Sequence, residues 1–277
     1  MENKQGKSLV ELKITLEEPE EAYFNFSKGS LLQGVLFEHI NADYAEELHN
    51  QGLKPYSQFI RTEDGNVNWY VRTLSEQAYQ QIVVPLLSEE FQEFDIEHDK
   101  QHIKILKKEV KTTSIDALFQ KFYSEEADRY LNVEFISPTA FKKNGKYSFY
   151  PEMFNVYQSV MKKFDSVSEK AGMFSEETLE QLAENTEIVD YNLRSIRFSL
   201  EGVRIPAFLG RIRIRIHGTQ TMVNFAKLLF EFGNYSGVGI KTAIGMGSIR
   251  VTEQKRRDSK LHNRKRNTKL EDCYMMS

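Results

Sequence analysis

Proton transfer near neutral pH is a task for histidine, whose unperturbed pKa of about 6.5 lets it both give and take a proton. The chain carries six. His49, in "ELHNQG", ends a helical stretch, at the negative end of the helix dipole. His39 lies in or just after the preceding helix. His217 closes the run "RIRIRIH". His98, His102 and His262 sit in acidic, strand and tail contexts with nothing beyond their type to mark them.

Two further stretches bear on anions. In "RIRIRIH" strict alternation puts Arg211, Arg213, Arg215 and His217 on one strand face and Ile212, Ile214 and Ile216 on the other. Three arginines on one face repel unless bound phosphates or acidic neighbours in the fold neutralise them. The second stretch is "GNYSGVGIKTAIGMGSIRV", from Gly233 to Val251, with five glycines in nineteen residues. It is not a dinucleotide fingerprint, because position 242 is Thr and the loop runs from helix to strand rather than strand to helix. It is not a P-loop either, since Tyr235 and Ile240 occupy the required glycine positions. What is left is Gly237, Gly239, Gly245 and Gly247 around Lys241 and Thr242. Such a loop either brings backbone N–H groups close to an anion or turns a tight corner against a sheet.

Composition narrows the classes. The 277 residues, 40% of them hydrophobic, suffice for one large core or two small ones. No run approaches the roughly 20 apolar residues of a membrane span, and the polar start MENKQGKS does not read as a signal peptide. The single cysteine, Cys273, cannot build a disulfide framework or a cysteine-based zinc site, and a cytoplasmic location is expected. The sequence offers no convincing metal cluster and no cofactor motif. Net charge is only −3, yet Lys255 to Lys269 holds eight Lys or Arg against one acid, Asp258. That segment points to phosphate binding or to a solvated tail.

The elements that must position these residues follow from periodicity. "LVELKITL" alternates as a strand, and "SLLQGVLFEHI" and "NADYAEELHNQG" carry helical spacing, the second capped by Asn41 or Asp43 and stopped by Gly52. "YSQFIRTEDGNVNWYVRTL" is a hairpin around Asp64-Gly65. "SEQAYQQIVVPLLSEEF" is helical with a kink or end at Pro85, and "QHIKILKKEV" is a strand. The order is βαββαβ, the ferredoxin-like order. It returns in the second half: strand "YLNVEFIS", a turn-rich excursion, helices from Pro151 and from the N-cap Ser175, strands "YNLRSIRFSL" and "FLGRIRIRIHG", helix "TMVNFAKLLFEFG", and a last strand "GSIRV". The predicted fold is therefore α+β, with two tandem ferredoxin-like (RRM-like) domains and the glycine-rich loop in the second. The predicted boundaries are 1–125, 126–252 and a basic tail at 253–277.

The segment "NFAKLLFEFGNYSGVGIKTAIGMGSIRV" resembles the C-terminal signature of the CRISPR repeat-processing endoribonucleases of the RAMP superfamily. "LLQGVLFEHI…AEELHNQG", "FISPTAFKKNGKYSFYPEMFNVYQSVMKKF" and "FLGRIRIRIHG" match other parts of that family in the right order. The resemblance implies metal-independent cleavage of precursor CRISPR RNA within its repeats, by attack of the 2′-OH on the adjacent phosphate. The products are a cyclic phosphate and a 5′-OH. It implies binding to precursor and mature CRISPR RNA as a monomer or homodimer, with an effector complex as a further partner, no membrane and no cofactor. The alternative within the superfamily is a non-catalytic subunit that binds CRISPR RNA in an effector complex.

By the same resemblance His49 falls at the family's catalytic histidine, and Lys54 at the lysine that some members place beside the scissile phosphate. The tyrosine of a Tyr-His-Lys trio aligns with Phe37, which lacks the hydroxyl. Either His49 works with Lys54 alone, or Tyr44 or Tyr56 substitutes. Expected RNA contacts are Arg211, Arg213, Arg215, Gly237, Gly239, Lys241, Thr242, Gly245 and Gly247, with Arg197 and Arg204 as further phosphate partners.

Overall fold

The computed structural model describes residues 9–17, 24–168, 175–200 and 202–253. The expected basic tail, beyond its first residue, lies outside them.

Strand β1 (Leu9–Leu16) turns Val10, Leu12, Ile14 and Leu16 into a core and Glu11, Lys13 and Thr15 to the opposite side. After it come α1 (Gly29–Glu38) and α2 (Ala42–Asn50), the latter capped by Asn41, whose side chain accepts from the Asp43 and Tyr44 amides. Strands β2 (Tyr56–Glu63) and β3 (Asn66–Thr73) form the expected hairpin. Its two turn residues, Asp64 and Gly65, both have positive φ (52° and 79°), as a type I′ turn demands.

The next helix does not stop before Pro85. It runs from α3 (Glu76–Ala78) through a π turn (Tyr79–Val83) into α4 (Val84–Leu87). In the wider turn the Val84 N–H reaches back to the Tyr79 carbonyl, which accommodates a proline that lacks a donor and crowds the preceding turn.

Beyond it β4 (Glu93–Ile96) pairs with β5 (Gln101–Thr113), so the first sheet has the antiparallel order β2-β3-β1-β5-β4. Without β4 this is the ferredoxin order. The short strand is hidden in an acidic stretch, yet its Phe94 and Ile96 are buried between exposed Glu93 and Asp95.

Helix α5 (Ile115–Ser124), capped by Ser114, sends Leu118 and Phe119 into the second core. The second sheet holds β6 (Tyr130–Thr139), β9 (Thr186–Leu200), β10 (Val203–Ile216) and β11 (Ile249–Glu253), in the antiparallel order β11-β6-β10-β9. The turn-rich excursion is a hairpin of β7 (Phe141–Lys143) and β8 (Lys146–Ser148), with positive φ at Asn144 and Gly145. Helices α6 (Met153–Val167), α7 (Glu176–Glu184) and α8 (Gln220–Ser236) complete a second ferredoxin-like unit.

Polar contacts lock the halves together. The buried Arg72 guanidinium donates from Nε to Glu11 at 2.7 Å and from an η nitrogen to Ser248 Oγ at 3.0 Å. Ser57 Oγ donates to the Tyr235 carbonyl at 2.6 Å. The buried Gln58 amide donates to the Ala243 carbonyl at 2.7 Å and the Gly29 carbonyl at 3.3 Å, while its oxygen accepts from Trp69 Nε1 at 2.7 Å. A third, smaller core forms where Phe198, Ile205 and Ala207, near the tip of the β9–β10 hairpin, meet Met246 of the glycine loop.

Candidate active site and RNA-facing surfaces

Helix α2 buries Tyr44 and Leu48 and leaves His49 exposed at its last turn. Burying a leucine such as Leu48 contributes about 2 kcal/mol, so the helix end is anchored one residue before the histidine. The Phe37 ring of α1 lies 6.0 Å from the His49 ring, tilted by 60°. Phe37 is thus beside the histidine in space, twelve residues away in sequence.

The ammonium of Lys54 donates to the carbonyls of Leu48 and Gln51, and to that of His49 at 3.3 Å. Carbonyls at a helix C-terminus lack intrahelical partners and carry partial negative charge, which is why a lysine settles there. Partial burial lowers its pKa. Tyr56, by contrast, is fully buried and its hydroxyl accepts from Gln33 Nε2 at 2.8 Å. Desolvation pushes that phenol well above its ordinary value. It is placed as a packing residue under α1 and faces no open surface. Tyr44 is buried as well, its hydroxyl pushed up to about 12 by desolvation and then by Glu47.

The other described histidines have local partners. His39 Nδ1 lies 2.8 Å from the Val35 carbonyl, and its ring packs edge-on against Phe91 at 4.6 Å. His102 sits between Asp95 and Glu93, whose hydrogen bonds raise its pKa, Asp95 first. His98 pairs with Asp99 at 2.8 Å, and His217 lies 3.4 Å from Glu187.

The glycine loop is largely a packed joint. A Cβ on Gly239 would meet the Ala140 carbonyl oxygen at 2.2 Å, and one on Gly247 would meet that of Val238 at 2.0 Å. The N–H groups of Gly237, Gly239 and Gly247 go to Gly233 O, Ser159 Oγ and Pro138 O respectively. Thr242 is buried, and Gly245 lies against Gly29 at the start of α1. Between Gly237 and Gly247, Lys241, held at a φ of 57°, is the exposed side chain. The loop therefore touches one end of α1 while Phe37 and His49 meet at the other, about 12 Å along the helix by its rise per residue.

Arg211, Arg213 and Arg215 do share a face, as the alternation requires. The Arg213 and Arg215 guanidiniums lie 4.7 and 5.8 Å from the Tyr130 ring centroid. Acids neighbour them: Glu134 and Asp190 stand opposite Arg211 and Arg213 in register, and Glu187 opposite Arg215. The groove on this face, about 1490 Å³, is nevertheless lined by five arginines against two acids, because Arg61, Arg194 and Arg250 join it. Arg61 comes from the first sheet and reaches Glu134 at 3.2 Å. The groove thus continues the helix-free faces of the two sheets, whereas His49 and the glycine loop lie on the helix-bearing side of the first. Arg197 and Arg204 are exposed near the tip of the β9–β10 hairpin.

A family model described as "CRISPR-associated endoribonuclease Cas6" matches residues 133–249. The protein of that name from Streptococcus thermophilus is 33% identical over 222 residues, covering 80% of this chain and 90% of that one. The chain belongs to the Cas6 family. The Cas6 protein of Mycobacterium tuberculosis is 30% identical over 249 residues, 88% of this chain and 78% of its own length. Among solved structures, a Cas6 product complex superposes with a TM-score of 0.73 at 24% identity, over 88% of this chain and 99% of that one. Thermus thermophilus Cas6 gives 0.67 at 19%, over 88% and 98%.

As a Cas6 protein the chain is a CRISPR-associated endoribonuclease with the tandem ferredoxin-like fold. Two groups of its polar residues escaped sequence reasoning. Arg61 and Arg250 carry no periodic signal, since each is a single cation in a mixed strand. Gln58 and Lys163 read as ordinary polar positions, and only tertiary packing buries them.

Proposed function

We propose that this Cas6 protein cleaves precursor CRISPR RNA within its repeats by metal-independent transesterification, with His49 moving the protons. The observation that carries the reading is the exposed His49 at a helix end, flanked by the Phe37 ring and by the Lys54 ammonium on its own carbonyl. The 2′-oxygen attacks phosphorus and passes its proton to the imidazole; the P–O5′ bond breaks and the leaving oxygen takes up a proton. A cyclic phosphate and a 5′-OH result. Lys54 offsets charge developing on the phosphate from its seat beside the histidine. Phe37 supplies a wall for the imidazole and no proton. Lys241 and the exposed part of the glycine loop hold RNA on the same side, and the arginine groove takes phosphates on the other side of the sheet.

The deciding experiment incubates wild type and H49A with the organism's own repeat RNA in EDTA. The reading expects a single cut by wild type, products ending in a cyclic phosphate, and a loss of about 10²-fold or more in H49A. Binding without cutting by wild type sinks the enzymatic reading and leaves the non-catalytic one. Equal cutting by H49A removes the histidine from the mechanism.

A further inference from the structure

Lys163, on α6, is 5% exposed, and its surroundings are unusual for a cation. Its Nζ donates to the Ser236 carbonyl at 2.9 Å, the Gly237 carbonyl at 3.3 Å and Thr242 Oγ1 at 3.0 Å. The two carbonyls belong to the C-terminal end of α8, so the ammonium sits where the helix dipole is negative and where acceptors lack intrahelical donors. Thr242 lies in the middle of the glycine stretch, between the Gly237/Gly239 and Gly245/Gly247 pairs. One turn earlier on the same face of α6, Ser159 Oγ accepts from the Gly239 N–H at 2.7 Å. Two side chains of one helix thus hold the start, middle and end of the segment 236–242.

A methionine would fill this space without desolvating a charge, so packing alone does not explain a lysine here. Burial lowers its pKa from 10.5 to about 7, with no neighbouring charge contributing. The groups facing Nζ are uncharged. Lys162 and Asp165 project from other faces of α6, and Glu231 of α8 is engaged by Lys121 and Lys227. The charged side chain of the held segment is Lys241, which is exposed and fixed in the left-handed region.

We propose that Lys163 is the positioning residue of the glycine-rich loop: its buried ammonium fixes the segment that presents Lys241 and adds positive potential beneath the RNA phosphate held there. This rests on the reading of the loop as an RNA contact. An anion bound above a buried lysine favours its protonated form, so RNA binding draws a proton onto Lys163 and weakens as the free lysine titrates.

The test compares wild type, K163M and S159A as full chains. Affinity is measured with repeat RNA carrying a 2′-deoxy group at the scissile nucleotide, and the saturating single-turnover rate with unmodified RNA. K163M is expected to bind about tenfold more weakly at a pH about one unit below the lysine's titration, with its saturating rate within about threefold of wild type. Wild-type affinity falls as pH rises through neutrality, and K163M lacks that component. S159A, which keeps the ammonium and frees Gly239, binds more weakly but keeps the pH dependence. A folded K163M with wild-type affinity and pH profile overturns the proposal. If K163M does not fold, unchanged affinity in S159A overturns it. A wild type that binds no repeat RNA sinks the reading of the loop and the proposal with it, whereas the other two results sink the proposal alone.

Discussion

Phe37 and His49 come from different helices, yet their rings lie 6.0 Å apart. The turn between α1 and α2 folds the first helix back on the second, so the position that lacks a hydroxyl is the histidine's neighbour. Restoring the hydroxyl therefore tests proton economy at the site directly. F37Y is expected to raise the single-turnover rate a few-fold and to alter its pH profile, while F37A lowers it by about tenfold through a loosened imidazole. An F37Y enzyme with an unchanged rate and pH profile would show that the ring's edge does not face the reacting atoms.

The arginine groove and His49 lie on opposite sides of the first sheet, so their contributions separate. Replacing Arg211 and Arg213 with alanine is expected to weaken RNA binding and to flatten its salt dependence by about 0.7 per lost phosphate contact on a single strand. The saturating cleavage rate stays within about twofold. Binding titrations at several salt concentrations check this. An unchanged salt slope would mean that Glu134, Asp190 and Glu187 already neutralise the face.

Glycines in the loop and in α1 should respond in opposite senses. G239A places a methyl 2.2 Å from the Ala140 carbonyl oxygen at a φ of +76°, and is expected to cost about 2 kcal/mol or more. Gly34, mid-helix with nothing within 4 Å of where a methyl would stand, is the control. G34A is expected to stabilise by about 0.5–1 kcal/mol, because alanine loses less backbone entropy in a helix. Urea unfolding of the two variants measures both.

Lys163 also couples stability to pH. Its folded value, about 7, lies below the ordinary 10.5, so between them the unfolded chain holds a proton the folded chain lacks. The cost of burying the charge is full below about 7 and is relieved as pH rises toward 10.5. Wild type should gain on K163M across that window, by at most about 1.4 kcal/mol per pH unit. RNA affinity moves the other way. Unfolding curves at several pH values with a constant difference between the two proteins would contradict this.

Much of this architecture was legible in the chain. Alternation in "LVELKITL" and "RIRIRIH", the Asp64-Gly65 turn and the caps at Asn41 and Ser175 specify their elements locally, because side-chain period and turn chemistry act over a few residues. The same locality explains the misses. Strand β4 was masked by its acids, and periodicity left open whether Pro85 kinks or ends its helix, which a π turn resolved by carrying the helix through. The resemblance carried His49, Lys54 and Phe37 as a set, and residue types alone would not have chosen among six histidines.

Only the tertiary structure decided which polar residues act together. Tyr56 and Lys163 look equally available in the sequence, yet the fold buries both, one under α1 and one beneath the glycine loop. The loop itself, expected to offer its glycine amides outward, spends those of Gly237, Gly239 and Gly247 inside the protein. The physical reason is that burial and hydrogen-bond partners depend on chain segments far apart in sequence, Lys163 meeting Thr242 and Gln58 meeting Ala243. Periodicity fixes which face of an element is apolar, and packing alone settles what each polar side chain finds there.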